Sequence, residues 1–378
     1  MGYGPLWTAV LSFPLMVAVQ LMCGRLGIVT GRGLAGVIRL RYPRWVLWGA
    51  CILLVTANVF NIAADLGGMG AAAEMVTGVT TLVWTPLLTV LIISFLFWSS
   101  YRRIAKALKW ATLVLLAYVV TAYFAHVNWR EAMLATIHPR LSWSREYLAT
   151  LLGILGTTIS PYLFFWQASQ EVEEQRSEGR KTAHPRGASD GEMRRLRVDV
   201  TVGMFASNFV MYFIILTTAA TLHAHGTTEI QTARQAAEAL LPLAGRAAYW
   251  LFTFGLIGTG MLSVPVLAGS SAYAIAEAGA WRRSLEKKPS SARRFYGVLA
   301  AAMAAGLAID YVGLDAVKML FWAAVLNGAL APPLILVIIL LTNDRRVMGE
   351  RINSPSLRIL GWVTLVVMSA ATVGMLFS

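Results

Sequence analysis

An interruption in an apolar segment near the middle of the chain is the first place where residue types point to chemistry. The stretch from Gly153 to Tyr162 reads Gly-Ile-Leu-Gly-Thr-Thr-Ile-Ser-Pro-Tyr. Pro161 supplies no backbone N–H and clashes with the preceding helical turn, so carbonyl oxygens just before it lose their helical partners. Such carbonyls near the middle of a membrane can hold a cation. A simple proline kink is the alternative interpretation.

Three polar residues in an earlier apolar segment share one helical face. Asn58, Asn61 and Asp65 are spaced by three and four residues. A carboxylate inside a membrane is costly and usually faces a cavity or a partner, which makes Asp65 a functional candidate. The asparagines could instead hydrogen-bond to neighbouring helices. Glycines follow at 67, 68 and 70, and they predict that another helix packs closely here.

Further polar candidates lie in later apolar segments. Gln167 follows Ser160 by about two helical turns, and it could line a cavity or bond to a neighbour. Asn208 is a similar case. Asn327 is followed by a glycine and two prolines, which loosen its helix. Asp199 is expected at a cytoplasmic helix start, where a carboxylate also suits the helix dipole.

The elements that position these residues are predicted to be membrane helices. Hydrophobic residues make up 57% of the 378 residues and charged residues only 13%, against about 25% charged in soluble domains. Apolar runs of about 20 residues recur, each long enough to cross a bilayer. Ten spans are predicted: 5–23, 45–73, 82–99, 110–126, 147–170, 198–222, 245–279, 295–312, 315–342 and 358–377.

Basic residues are concentrated in every second connection between these spans. The basic connections are 24–44, 100–109, 171–197, 281–294 and 343–358. By the positive-inside rule these connections are cytoplasmic, and the net charge of +13 marks topology rather than a nucleic-acid partner. The default expectation for 171–197, which carries both charge signs, is a flexible linker.

The same alternation places both ends of the chain outside. The chain enters the membrane directly after Met1–Pro5, with no basic segment before the first span and no signal-peptide pattern. A helix that enters from the cytoplasm would normally precede a span of this orientation. We therefore expect that a first helix is missing upstream.

Several familiar motifs are excluded. Gly31–Gly36 matches a dinucleotide-binding pattern, but no strand precedes it, so the match is discarded. The chain has no Walker-type phosphate loop, no His-Glu-x-x-His and no nucleophile elbow, so we expect neither an enzyme nor ATP-driven transport. Cys23 and Cys51 give neither a disulfide framework nor metal-ligand spacing. No cofactor is expected.

Several blocks of the sequence resemble Nramp-type divalent metal transporters, and the resemblance covers essentially the whole chain. The block Arg25-Leu-Gly-Ile-Val-Thr-Gly31 resembles the signature after the second helix of that family, and Ala64-Asp-Leu66 resembles the core of its third. Thr157–Tyr162 falls where the broken sixth helix of the family carries Ala-x-x-Met-Pro-His. Asp199–Asn208 resembles the start of the seventh helix.

The resemblance implies an all-α polytopic membrane protein with the LeuT-type fold of two inverted five-helix repeats. The ten spans would be helices two to eleven of the family, in a single transporter domain. Residues 1–146 would be the remainder of the first repeat, 147–342 the second repeat and 343–378 an additional helix. The missing helix one carries the Asp-Pro-Gly metal motif of the family.

Departures from the family pattern bear on the ion and on proton coupling. Ser160 stands where the family has a metal-binding methionine, and a hydroxyl is a harder ligand that also suits magnesium. Tyr162 and Gln167 replace two histidines, and Gly68 replaces a glutamate, all on the proton route of the family. The pattern therefore resembles a divergent Nramp-related branch, some of whose members handle magnesium.

The leading hypothesis is a secondary carrier of manganese, iron or magnesium in the bacterial plasma membrane. The substrate ion would meet the Thr157 carbonyl and oxygen ligands from Ser160 and Asn327, with a carboxylate from the missing helix. Pore or gate candidates are Asn61, Asp65, Tyr162, Gln167, Asp199 and Asn208. The lipid bilayer and the metal ion are the expected partners. The alternatives are an amino acid carrier of the same fold and a truncated, non-transporting membrane protein.

Overall fold

The computed structural model describes residues 2–98, 119, 122, 127–139, 141–177, 188–221, 235, 247–285, 289–313 and 315–377. The first helices in this part of the chain are α1 (Trp7–Thr30), α2 (Leu34–Arg41), α3 (Arg44–Thr77), α4 (Thr81–Trp98), α5 (Trp129–Ile137), α6 (Arg145–Thr158) and α7 (Pro161–Ser177). They are followed by α8 (Asp190–Thr221), α9 (Ala247–Ala278), α10 (Arg293–Asp310), α11 (Ala316–Asn343), α12 (Arg345–Met348) and α13 (Pro355–Phe377). Two single 3₁₀ turns span Gly4–Leu6 and Pro289–Ser291.

The predicted spans fall on helices wherever the structure describes the chain. Among the described residues, seven segments are long and apolar enough to cross a membrane, and α4 contains a shorter apolar helix. Helix α10, at the predicted span 295–312, is in neither group. Every predicted span except the fourth coincides with a helix, and the fourth, 110–126, lies almost wholly outside the described residues. The predicted flexible linker at 171–197 is wrong at both of its ends, because α7 continues to Ser177 and α8 begins at Asp190.

Helix α3 is the central element, and it packs most extensively against α9, α10 and α11. Asn58 is fully buried, and its Nδ2 donates to the Leu267 carbonyl at 2.9 Å and lies within 2.9 Å of the Ser270 and Ser271 hydroxyls. A side-chain amide thus joins α3 to α9 at a depth where no water competes. The interhelical interpretation of Asn58 is confirmed.

The glycines of α3 allow the close packing that the sequence predicts. A Cβ at Gly70 would lie 2.6 Å from the Thr85 hydroxyl and 2.8 Å from a Thr81 methyl on α4. A Cβ at Gly67 would collide with the Asp310 carboxylate at the end of α10. Small residues therefore set the distance from α3 to both neighbours, as in other membrane helix contacts.

Four of the five basic connections meet at one end of the molecule, which agrees with their common cytoplasmic assignment. Arg351 pairs with Asp190 at 2.6 Å, and Arg41 pairs with Asp344. The hydrogen bond from Arg41 and that from the Arg346 N–H hold the pKa of Asp344 below its ordinary value. Because the pKa of Asp344 is lower in the folded protein than in the unfolded chain, the ionised carboxylate stabilises the folded protein. This stabilisation is present above the pKa of Asp344 in the unfolded chain, and it is lost as the pH falls through the lower pKa of the folded protein.

A buried carboxylate fastens the short helix α2 to the end of α9. Glu277 is 3% exposed, and its carboxylate accepts the Gly33 N–H at 3.0 Å and the Gly36 N–H at 2.9 Å. Arg283 lies 3.0 Å from the same carboxylate and balances its charge. Gly33 has no room for a Cβ beside this carboxylate. Gly33 of the discarded dinucleotide pattern therefore admits Glu277 to the N-terminus of α2, where a negative charge is stabilising.

We expect Glu277→Gln to destabilise the protein by about 3 kcal/mol, because it leaves Arg283 without its charge partner and turns an amide donor toward backbone donors. The measurement is thermal unfolding of the purified protein in one detergent. Glu350→Gln, at an exposed glutamate beyond α12, is the matched control and should leave unfolding unchanged. Equal unfolding temperatures for the two variants would contradict this account of Glu277.

Candidate functional site

The helix break predicted from Pro161 is present. Helix α6 ends at Thr158, Ile159 leaves the helical conformation with φ −113° and ψ 66°, and α7 begins at Pro161. The interruption thus divides a single apolar segment that runs from Arg145 to Arg176. Because Pro161 has no N–H, the Thr157 carbonyl cannot receive the helical hydrogen bond that a residue four positions later would supply.

Ser160 donates hydrogen bonds to carbonyls that lose their helical partners at the break. Its hydroxyl donates to the Gly156 carbonyl and lies 3.2 Å from the Thr157 carbonyl. Its own carbonyl accepts the Leu163 N–H at 3.1 Å and so starts α7. Ser160 is 1% exposed, whereas the Thr157 side chain is exposed. The break therefore carries polar oxygens on both its buried side and its open side.

Two glycines bring α11 against the break. A Cβ on Gly156 would collide with the Ala324 carbonyl, and it would lie 2.5 Å from the Gly328 nitrogen and 2.9 Å from the Gly328 Cα. The backbone of α6 thus touches the backbone of α11 directly. Asn327, the neighbour of Gly328 in the chain, is held at the same level as the end of α6.

A reciprocal amide pair joins α3 to α11. Asn61 Nδ2 donates to Asn327 Oδ1 at 3.0 Å, and Asn327 Nδ2 donates to Asn61 Oδ1 at 3.0 Å. Asn61 also donates to the Ala57 carbonyl on its own helix at 2.7 Å. Asn327 is 2% exposed. Each amide oxygen accepts one hydrogen bond here and retains a second lone pair.

The carboxylate of Asp65 lies one turn beyond Asn61 on α3. It accepts a hydrogen bond from the Ser263 hydroxyl on α9. Tyr162, at the start of α7, lies within electrostatic reach of Asp65 and packs against both large apolar clusters of the protein. The structure therefore groups Thr157, Ser160, Asn327 and Asn61 around the break, with Asp65 and Tyr162 beside them.

Three predicted candidates lie elsewhere. Gln167 donates to Glu171 on its own helix at 2.8 Å, toward the C-terminal half of α7. Asp199 is exposed inside α8; its predicted place at a helix start is wrong, because α8 begins at Asp190. Asn208 is buried, and its Nδ2 donates to the Ala9 carbonyl at 2.7 Å and to the Ser12 hydroxyl at 3.2 Å. It joins α8 to α1 and takes no part in the group around the break.

Sequence reasoning missed Ser263, the partner of Asp65, and the role of Gly156. A serine in an apolar helix carries no distinguishing signal by itself, because hydroxyls commonly bond to a carbonyl one turn back. In the sequence, Gly156 is visible only as a glycine near the break. Within the described ranges, no group of three His, Cys, Asp or Glu side chains could hold a metal ion. Among the described residues, the oxygen atoms at the break itself are those of carbonyls, a hydroxyl and amides.

We expect Gly156→Ala to destabilise the protein by about 2 kcal/mol, since the added methyl group meets the backbone of α11, which cannot move aside alone. Gly203→Ala on α8 is the control, because a Cβ there meets nothing within 4 Å. That change should be neutral or stabilising by up to about 1 kcal/mol. Thermal unfolding of both variants tests the contact, and a similar result for the two would refute it.

The amide pair should appear as coupling in a double-mutant cycle. We expect Asn61→Ala and Asn327→Ala to be non-additive by about 1 kcal/mol in the free energy of unfolding, a value near those of other hydrogen bonds between membrane helices. Asn61→Ala combined with Asn208→Ala should be additive, because Asn208 bonds to α1. Additivity in the first cycle would mean that the pair contributes no net stability.

The comparisons with known proteins agree on one family. A family model described as natural resistance-associated macrophage protein-like matches residues 1–378. The chain is 28% identical over 375 residues to the divalent metal cation transporter MntH of Klebsiella pneumoniae strain 342, a match that covers 97% of this chain and 84% of that protein.

Solved structures show the fold. The manganese transporter of Eremococcus coleocola superposes with a TM-score of 0.77 at 19% identity, covering 100% of this chain and 80% of that one. Mhp1, a nucleobase-cation-symport-1 family transporter, gives a TM-score of 0.60 at 16% identity, covering 98% of this chain and 86% of that one. These matches confirm the predicted LeuT-type arrangement of helices. The chain is thus an integral membrane transporter and no enzyme, and it belongs to the Nramp, natural resistance-associated macrophage protein-like, family.

Proposed function

We propose that this protein carries divalent metal ions, namely manganese, iron or magnesium, across the plasma membrane by alternating access. The observation that carries the proposal is the break between α6 and α7 inside an apolar segment. There the hydroxyl of Ser160 is the hydrogen-bond donor for the carbonyls of both Gly156 and Thr157. A cation at this point would replace hydrogen bonds that one rotating hydroxyl supplies.

The ligands would come from three elements. Thr157 offers the carbonyl that Pro161 leaves without a helical partner, Ser160 offers its hydroxyl oxygen, and Asn327 offers the amide oxygen now shared with Asn61. All three are neutral oxygen donors, which hard divalent ions accept. Magnesium loses water reluctantly, so an ion held here would keep part of its hydration shell.

Tight backbone contact makes α11 part of the moving unit in this proposal. Since Gly156 touches Gly328 without intervening side chains, α6 and α11 would shift together when the helices beside them rock. The amide pair of Asn61 and Asn327 would open or re-form at each such step, because it joins α11 to α3. In this proposal the parts of the chain that move are the repeats expected from the sequence, namely 1–146 and 147–342, with 343–378 as an additional helix.

The relatives support metal as the substrate class. The bacterial protein at 28% identity is a divalent metal cation transporter, and the superposed protein from Eremococcus coleocola is a manganese transporter. An organic solute is the competing candidate, because MhsT, solved in complex with L-phenylalanine, shares the fold with a TM-score of 0.59 at 13% identity. The family match favours the metal.

We expect reconstituted full-length protein to carry manganese, iron or magnesium into liposomes, and we expect Ser160→Met to favour manganese over magnesium. A thioether is a softer ligand than a hydroxyl, and magnesium prefers oxygen. The ratio of manganese to magnesium flux should rise by about tenfold, which equals about 1.4 kcal/mol of differential binding. Fluorescent indicators inside the liposomes give both initial rates.

Thr150→Met is the matched control for this change. Thr150 lies on α6 about two turns before the break, and its hydroxyl bonds to the Glu146 carbonyl at 2.9 Å. The flux ratio of this variant should equal that of the unchanged protein. Absence of flux for all three metals, together with protection against thermal unfolding by an amino acid, would favour the organic-solute alternative. Absence of flux for every solute would favour the non-transporting one.

A further inference from the structure

A cavity of about 440 Å³ opens at the cytoplasmic end of the molecule, away from the helix break. It lies between the second half of α1, the start of α8 and the connection that leads from α12 into α13. Its apolar lining includes Val17 and Leu21 from α1, Leu196 from α8, and Leu357 and Leu360 from α13. The proposed transport route does not use it.

Three arginines line the polar side of this cavity. Arg25, Arg197 and Arg351 lie close enough together that Arg25 experiences the charge of both of the others. Arg25 donates to the carbonyls of Arg351 and Ile352 at 2.7 and 2.9 Å, so no acid offsets its charge there. Arg351 pairs with Asp190, whose side chain is 90% exposed. Two of the three positive charges therefore have no carboxylate partner among the described residues.

Arg197 is the arginine that remains available to a ligand. It is exposed on α8, and in the part of the chain that the structure describes it makes no hydrogen bond or ion pair with another side chain. The three arginines repel one another, which costs free energy, and an anion in the cavity would offset this repulsion. Guanidinium groups bind phosphate through paired N–H donors, so the chemistry here is that of a phosphate group.

The start of α13 adds to the positive potential. Ser354 and Ser356 line the cavity, and their hydroxyls lie 3.2 Å apart just where this helix begins. The N-terminus of a helix carries a partial positive charge and attracts anions. The arginines, the hydroxyls and the helix terminus thus converge on one polar side.

The opposite side of the cavity distinguishes a lipid from a free ion. Leucines and a valine form it, and the other face of α13 carries Ile359 and Trp362, which are 61% and 42% exposed. Exposed apolar groups in a membrane-spanning helix face acyl chains, and tryptophan favours the interface with the head groups. The cavity therefore combines a phosphate-binding wall with an apolar wall, and the helix that borders it presents its other face to hydrocarbon.

We propose that this cavity binds the phosphate head group of an anionic phospholipid from the cytoplasmic leaflet, with its acyl chains along α13. Basic pockets between membrane helices on the cytoplasmic side suit such head groups, and that leaflet is where the basic connections place this end. The bound lipid joins α1, α8 and α13, whose ends surround the head group. The inference does not depend on which solute the protein carries.

Lipid titrations of the purified full-length protein in neutral detergent test the proposal. Dioleoylphosphatidylglycerol should raise the unfolding temperature and appear as a bound lipid in native mass spectrometry, whereas dioleoylphosphatidylcholine should do so far less. Arg197→Gln should weaken the apparent affinity for phosphatidylglycerol about fivefold, the contribution of one arginine near a lipid surface. Arg194→Gln, at an exposed arginine one turn earlier on α8, should retain the affinity of the unchanged protein.

A second pair of variants tests the cavity without removing an arginine. Ser356→Asp places a negative charge inside it, and an acid in the first turn of α13 favours the helix, so the protein should fold while phosphatidylglycerol binding falls at least fivefold. Ser356→Asn is the uncharged control and should bind as before. Equal losses for Arg194→Gln and Arg197→Gln, or equal binding of both lipids, would overturn the proposal. Protection by inorganic phosphate equal to that by phosphatidylglycerol would overturn the lipid assignment in favour of a free anion.

Discussion

The apolar interior of the bilayer supplies no water to a broken helix, and the site of this protein depends on that constraint. Pro161 removes one donor, and the carbonyls before it must find other partners inside the protein. Ser160 supplies one hydroxyl for two of them. The chain therefore holds concentrated oxygen acceptors at a depth where an ion would otherwise find only hydrocarbon.

Close backbone packing fixes the other half of the site. Gly156 and Gly328 let α6 and α11 touch, and this contact sets the level of Asn327 relative to the break. Asn327 then meets Asn61 in a pair in which each amide both donates and accepts. Between membrane helices the hydrophobic effect contributes little, so small residues and side-chain hydrogen bonds determine which helices meet. Both kinds of contact occur again in this protein: Gly70 lets α4 pack closely against α3, and Asn58 hydrogen-bonds to α9.

At the end of the molecule where the basic connections meet, charged side chains join the helices. Glu277 closes the N-terminus of α2 and is neutralised by Arg283, while Arg351 and Arg41 pair with acids from other connections. Three arginines of the basic connections thus act as structural cross-links. Among the described residues, no carboxylate pairs with Arg25 or Arg197, and both arginines line the same cavity.

The sequence by itself determined the class of protein, the positions of the spans that the structure describes, and the break before Pro161. These follow from hydrophobic length, alternation of charge and the missing proline N–H, which are local properties that need no partner. It also identified Ser160, Asn61, Asp65 and Asn327 as candidates, because polar atoms are conspicuous in apolar segments. Only the tertiary structure decided which of them meet. Asn208 bonds to α1 rather than facing the break, Asp65 has Ser263 as its partner, and Glu277 caps a helix more than 200 residues away in sequence. Those contacts depend on the rotation and depth of packed helices, and a single helical sequence specifies neither.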